Sequence, residues 1–256
     1  MNRINGILLL FFSLILFTAC QTGKSIQLQM QGIQSELFYE LTTPVYSESV
    51  DNTIYLNSIE NSAIIPYTAV KRKGGKVIPL IFYNLIQNNY EVTLGDGSLV
   101  QPYHDFLMDA LLTQCNRSSC FNLRMRDDAA LSDSTLILEV KVNKNSTTAD
   151  MIHKDVGFFI PISADFIFGF SNWDVNQSVS WLEISARLMQ QEKCLWEKTY
   201  TATRDLSYKK TGIENPNYAY EYCIDHMTEC LSNTTKEIVE SIGQNLHLLM
   251  LQKQAD

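Results

Sequence analysis

Residues 134–145 read STLILEVKVNKN. Leu136, Leu138, Val140 and Val142 fall on one side of an extended chain, and Glu139, Lys141 and Asn143 on the other. That period of two is what a half-buried strand requires. Residues 180–190, SWLEISARLMQ, repeat it, with Leu182, Ile184, Ala186 and Leu188 inward and Glu183 and Arg187 outward. Gln191-Glu192-Lys193 then turns the chain into a further strand over 194–203. Alternating strands joined by short turns predict antiparallel pairing, one face packed and one wet.

Working outward, β-rich runs at 63–71 and 77–86 flank Lys73-Gly74-Gly75-Lys76, which reads as a hairpin turn whose basic residues are solvated. A short strand over 90–94 ends at Gly95-Asp96-Gly97. The period then changes. Tyr103, Phe106, Leu107, Ala110 and Leu111 share one face of a helix, with Pro102 in its first turn. Phe121-Asn122-Leu123-Arg124-Met125 returns to strand. Over about 217–251, Ile224, Met227, Leu231, Ile238, Ile242 and Leu249 recur at helical spacing, while Asp225, Glu229, Lys236 and Glu240 lie off the stripe. Such a helix is about 50 Å long, so it is expected to lie diagonally across a sheet. The expected fold is α+β: a two-layer sandwich of a mostly antiparallel sheet with two helices on one face and a long C-terminal helix.

The N-terminus bears on location. MNRINGILLLFFSLILFTAC has one positive residue, Arg3, then an apolar run too short to span a bilayer, then Thr18-Ala19-Cys20. This order resembles a bacterial lipobox, with Phe17 where an aliphatic residue is usual. The resemblance implies a signal peptide over 1–19 and lipid modification of Cys20, by palmitate among other acyl groups. More than one acyl chain would anchor the protein stably without a transmembrane helix. Gln21 follows the cysteine, and no aspartate does, which favours the outer membrane, facing the periplasm. Residues 20–60 read as a tether or arm with short strands: Ile26, Leu28 and Met30 alternate with glutamines as an edge strand would, and Ile54-Tyr55-Leu56 is a short apolar run. Residues 61–256 form the single domain.

Composition sets limits. Apolar residues make up 45% and aromatic residues 11% of the chain, enough for a real core, and the net charge is -8. Such a chain has no electrostatic reason to bind nucleic acid. Beyond Cys20 there are Cys115, Cys120, Cys194, Cys223 and Cys230. Cys115 and Cys120 flank a short loop and are candidates for a local disulfide, which an envelope compartment permits. Cys223 and Cys230, two turns apart on a helix, stand about 10 Å apart along its axis, beyond disulfide reach. No nucleophile elbow, zinc-protease helix, phosphate loop or dinucleotide fingerprint is present. The histidines are scattered, and His226 with Glu229 is the single pair at contact spacing on a helix. No catalytic residue, cofactor or metal site is therefore expected. Asp133-Ser134-Thr135 resembles an O-glycosylation sequon of Bacteroidetes envelope proteins.

One stretch stands apart. Residues 157–170, GFFIPISADFIFGF, sit in an apparent insert at about 146–178 with polar flanks. Gly157, Pro161 and Gly169 predict a long crossover or hairpin outside the main ladder. Three readings are open. The run caps an unfilled part of the core; or it docks a partner; or it dips into the leaflet that holds the acyl chains, with Phe158, Phe159, Phe166, Phe168 and Trp173 at the interface.

The order of elements from the strand Val77-Ile78-Pro79-Leu80-Ile81-Phe82 through Leu136-Ile137-Leu138-Glu139-Val140 to the last helix resembles the auxiliary envelope lipoproteins of ABC-type transport. It is more loosely similar to lipoproteins of curli secretion and of penicillin-binding-protein activation. The resemblance spans roughly 76–250 and excludes the arm and the insert. It implies a non-enzymatic binding or scaffold component with an envelope protein partner and a lipid or other apolar cargo. The alternatives are an enzyme with an unrecognised pocket and a self-assembling structural subunit.

Overall fold

The computed structural model describes residues 23–41, 53–79, 83–117, 121–126, 134–159, 166–207 and 209–255, with the backbone alone at 79, 83–84, 158–159, 166–168 and 254–255. In chain order the elements are α1 (Gly23–Met30), β1 (Thr53–Leu56), β2 (Glu60–Asn61), β3 (Ala69–Pro79), β4 (Tyr83–Thr93), α2 (Tyr103–Arg117), β5 (Asn122–Met125), β6 (Leu136–Phe159), β7 (Phe166–Gln190), β8 (Lys193–Leu206), β9 (Lys210–Ile213) and α3 (Pro216–Ala255). The architecture is α+β, as the alternation and the helical stripes predict.

β6 and β7 form the spine. They are 24 and 25 residues long and pair antiparallel from Leu136↔Gln190 to Phe159↔Phe166. The free edge of β6 takes β1 and β2 in parallel along its first half and β4 antiparallel along its second. β5 adds in parallel to β1, and β3 closes the other flank against β4. β8 and β9 pair with the free edge of β7. All nine strands make one mixed sheet.

The packed face is the one the alternation selects. Leu136, Leu138, Val140 and Val142 on β6 and Leu182, Ile184, Ala186 and Leu188 on β7 are all buried. They meet α3, whose Ile224, Met227, Leu231, Ile238 and Ile242 are buried in turn. Leu249 is only partly buried, and Leu246 and Met250 take the inner positions. α2 inserts Tyr103, Phe106, Leu107, Ala110 and Leu111 into the same core. Burying each large apolar side chain contributes about 1.5–3 kcal/mol relative to leaving it exposed.

α3 also carries buried polar residues, and its buried threonines are satisfied within the helix itself. The hydroxyls of Thr228, Thr234 and Thr235 donate to the carbonyls one turn back, at 2.9, 2.7 and 2.8 Å. The Cys230 thiol donates to the carbonyls of Ser178 and Arg204, at 3.6 and 3.5 Å. Cys223 and Cys230 lie on one helix as free thiols.

Four expectations are corrected. Residues 26–30 form a helix instead of an edge strand: Ile26 and Met30, one turn apart, are buried, while Leu28 is 62% exposed. The stretch expected as an arm supplies β1 to the middle of the sheet, between β5 and β6, and β1 and β5 run parallel to their neighbours. Gly74-Gly75 makes no hairpin turn. β3 runs straight through it with a bulge between Arg72 and Gly74, and the strand pair continues to Pro79↔Asn84. A Cβ on Gly75 would lie 2.8 Å from the Gln87 carbonyl oxygen and 2.8 Å from Asn88 Oδ1, so glycine here serves close strand approach. Lys73 instead spans to Glu91 at 2.5 Å and Asp150 at 3.4 Å. Finally, 146–178 is not an insert. Residues 146–159 and 166–178 form the second half of the β6–β7 ladder, and the described parts of the 157–170 run pair at its far end, up to Phe159↔Phe166; 160–165 lie outside the described residues.

Candidate functional site

Three regions outside the core can meet another molecule. The first is the sheet face opposite the helices. It is polar because alternate residues of β6, β7 and β8 point there. The side chains satisfy one another across strands: Asn143 donates to Ser185 Oγ at 2.7 Å, Ser185 and Thr199 hydroxyls are 2.9 Å apart, and Arg187 donates to Glu197 at 2.8 Å. Lys141 pairs with Glu60 at 2.5 Å, and Lys144 sits 3.2 Å over the Trp181 ring. Lys141, Asn143, Ser185 and Arg187, with Asn57, Ser58, Glu60 and Glu139, border an open recess of about 640 Å³.

The second is a recess of about 630 Å³ at the β8–α3 edge, lined by Asp205, Leu206, Tyr222, Asp225, His226 and Glu229. Burial lowers the His226 pKa, and nearby Glu229 opposes that shift. His226 Nδ1 lies 2.8 Å from Ser178 Oγ, a spacing that could activate a serine. Ser178 is fully buried, however, so the pair fastens α3 to β7 and presents no nucleophile to solvent.

The third region is the far end of the sheet. The helical layer stops at the row His153–Trp173. Tyr220, near the start of α3, meets Trp173 edge-on at 5.2 Å, and β9 pairs Ile213 with Trp173. A polar girdle marks this boundary. His153 stacks on Trp173 at 4.2 Å, reaches Ser171 at 2.8 Å and lies 3.3 Å from Asp155. Burial lowers the His153 pKa, and Asp155 offsets part of that shift. Asp174, nearly buried, pairs with Lys154 and accepts the Gly212 N–H at 3.0 Å.

Beyond the girdle β3, β4, β6 and β7 run on, reaching Phe159↔Phe166, an overhang of about 20 Å at ordinary strand rise. The strand registers read as rows. Lys76, Gln87, Lys154 and Asn172 stand opposite one another across the four strands. Two residues further on, Ile78, Leu85, Val156 and Phe170 make the next row on that face. The face therefore changes from polar to apolar within about 7 Å. On that face Phe170 is 68% exposed and Ile78 37%; Val77, on the other face of β3, is 60% exposed. The last paired positions are Tyr83↔Phe158, Phe158↔Ile167 and Phe159↔Phe166.

The sequence-predicted residues are distributed as follows. Phe158, Phe159, Phe166 and Phe168 all lie in this overhang by register. Trp173 does not belong with them. It is 2% exposed and packs among Tyr90, His153 and Tyr220, so it closes the core. Cys115 is buried on α2. Cys20 and Cys120 lie outside the described residues, as does Asp133. The row through Ile78, Leu85, Val156 and Phe170 is absent from the sequence reading. Its members were visible as apolar residues, but only the register aligns them. Among the described residues, no group of three His, Cys, Asp or Glu could hold a metal ion, and no helix is long and apolar enough to cross a membrane.

No family model and no curated protein matches this chain. Among solved structures, protein XCC0632 of Xanthomonas campestris, from the DUF330 family, is similar over 86% of this chain and 98% of its own, at 12% identity and a TM-score of 0.44. A neuraminyllactose-binding hemagglutinin homologue from Helicobacter pylori is similar over 82% of this chain and 100% of its own, at 14% identity and a TM-score of 0.33. At such scores the reading of this chain rests on its own residues.

Proposed function

We propose that this chain is a lipid-anchored envelope lipoprotein, held at the outer membrane and facing the periplasm. Its work is to bind or scaffold a protein partner in an envelope machine, as the auxiliary lipoproteins of ABC-type transport do, with a lipid or other apolar molecule as cargo. It is not an enzyme in this reading. The observation that carries the proposal is the leader ending at Thr18-Ala19-Cys20, set before a body whose sheet is covered by its described helices on one face only. The open recess supports binding over catalysis. Its charged side chains are engaged with one another, as Lys141–Glu60 and Arg187–Glu197 are, and a surface of this kind suits a broad polar interface with a partner.

The test has two parts. Cells expressing the chain are fed an alkyne-bearing palmitate, and the purified protein is probed for the label. Label is expected in the wild type, with the protein in outer-membrane fractions, and is lost in Cys20→Ala. An unlabelled wild type would end the lipoprotein reading. A photocrosslinker at Glu183 on the open face is expected to trap one discrete partner in intact cells. A crosslinker at Leu248 on the outer side of α3, 59% exposed, is expected to trap none, and equal yields at the two positions would remove the open face as the interface.

A further inference from the structure

The overhang is an unusual thing to leave in water. Four paired strands extend past the helices, and on the face turned away from those helices the residues they carry outward become apolar towards the end. An exposed patch of this kind on a folded protein marks an interaction site. Its shape selects the partner. A docking groove for a protein is concave or rimmed, whereas this is the projecting end of two adjacent antiparallel strand pairs, β3–β4 and β6–β7. Its polarity changes along the strand axis, row by row, so the apolar rows at the end meet the leaflet first when the strands lean into it. Lys76 lies in the polar row immediately behind the apolar one, at the level where lipid phosphates would meet it, while Lys154 in the same row is held by Asp174. Aromatic residues dominate the end, and aromatic rings favour the membrane interface.

Length decides how deep such an end can go. From the row of Val156 to the last pair, Phe159↔Phe166, the strands add about 10 Å. A hydrocarbon core is about 30 Å thick, and interfacial elements bury about 5–10 Å. Over the described residues the end is thus long enough to reach the interfacial layer of one leaflet.

We propose that the overhanging ends of β3–β4 and β6–β7, centred on Ile78, Leu85, Val156 and Phe170, insert into the interfacial layer of a lipid leaflet. This gives the protein a membrane contact separate from Cys20. It rests on the envelope reading for a bilayer within reach, and not on the acyl anchor itself.

Full-length protein is reconstituted with vesicles of phosphatidylethanolamine and phosphatidylglycerol, with or without bromine on the acyl chains. Phe170→Trp places an indole in the row, exchanging one exposed aromatic side chain for another. Glu192→Trp, in the β7–β8 turn, is the control at the opposite end. The emission added by Phe170→Trp is expected to shift to shorter wavelength and to fall several-fold in brominated vesicles, while that of Glu192→Trp is unchanged. Protein that floats with vesicles without quenching of Phe170→Trp overturns the inserted end and leaves the anchor standing. Quenching that persists in Cys20→Ala supports insertion independent of acylation. In that background Ile78→Ser with Phe170→Ser is expected to reduce vesicle binding several-fold; the uncleaved leader is common to both chains, so the difference isolates the end. An unchanged difference, or a row shielded by a second protein and not by lipid, overturns the proposal.

Discussion

At the residue scale, two buried tyrosines of the same core separate a hydroxyl that stabilises from one that does not. Tyr103 is fully buried, and its hydroxyl lies 3.0 Å from Thr235 Oγ1, linking α2 to α3. Tyr220 is equally buried, but its hydroxyl has no hydrogen-bond partner among the described residues. Burial, with a smaller contribution from Tyr90, pushes its pKa up to about 12. A made hydrogen bond is worth about 1 kcal/mol net, while a buried polar group without one is a cost. Tyr103→Phe should therefore lower unfolding free energy by about 1 kcal/mol. Thr235 keeps its bond to the Leu231 carbonyl, so no second group is orphaned. Tyr220→Phe should leave stability unchanged or raise it. Denaturant melts of the two variants check this, and equal losses would show that the Tyr220 hydroxyl has a partner.

At the element scale, the sequence was most legible where one face is packed and the other wet. Leu136 to Val142, with Ile137 the one apolar residue on the outward side, and Leu182 to Leu188 alternate, and their inner members are buried. α2 and α3 were legible for the same reason at helical period. Legibility failed where one pattern satisfies two periods. Ile26 and Met30 are two steps of a strand alternation and also one turn of a helix; only the exposure of Leu28 separates the two. It failed again at Gly74-Gly75, because a glycine pair marks a turn as readily as a bulge. The bulge makes its own prediction. An added Cβ on Gly75 would meet backbone, the Gln87 carbonyl oxygen, at 2.8 Å, whereas one on Gly32 would meet nothing within 4 Å. Gly75→Ala should therefore destabilise by about 1–3 kcal/mol, as forced overpacking does. Gly32→Ala should be neutral or slightly stabilising through the unfolded chain. Thermal melts of the two would differ in sign or in clear magnitude; if they coincide, β3 and β4 do not approach as closely as drawn.

At the scale of the whole molecule, the candidate site became visible only through register, because it consists of residues from four strands, from Ile78 to Phe170, that lie far apart in the sequence. The apolar character of 157–170 was legible. Its neighbours Val77 and Ile78 were not, since nothing in the sequence says that β4 pairs with the second half of β6. The same register fixes how the molecule can sit on a membrane. A Cβ on Gly23 would lie 2.9 Å from the Val70 carbonyl oxygen, so the chain enters the structure at the β3 edge. From Val70 to Ile78 is about 26 Å along the strand. If Cys20 carries acyl chains, the residues between it and Gly23 span at most about 11 Å. Both attachments reach one leaflet only if the strands lean no more than about 25° from the membrane plane, given that strand rise and tether. Cys194 reports the angle. It is exposed, it pairs with Met189, and Met189 lies opposite Ile137, about 63 Å along the spine from Val156 at ordinary strand rise. A dye on Cys194 should then stand no more than about 30 Å above the bilayer, against about 60 Å for a molecule standing end-on. Energy transfer to an acceptor at the lipid headgroups is expected to be efficient in the wild type and to drop when Ile78→Ser and Phe170→Ser release the far end, leaving the body to pivot on its anchor. Transfer that is weak from the outset would mean that the end of the sheet and the acyl chains do not share a leaflet.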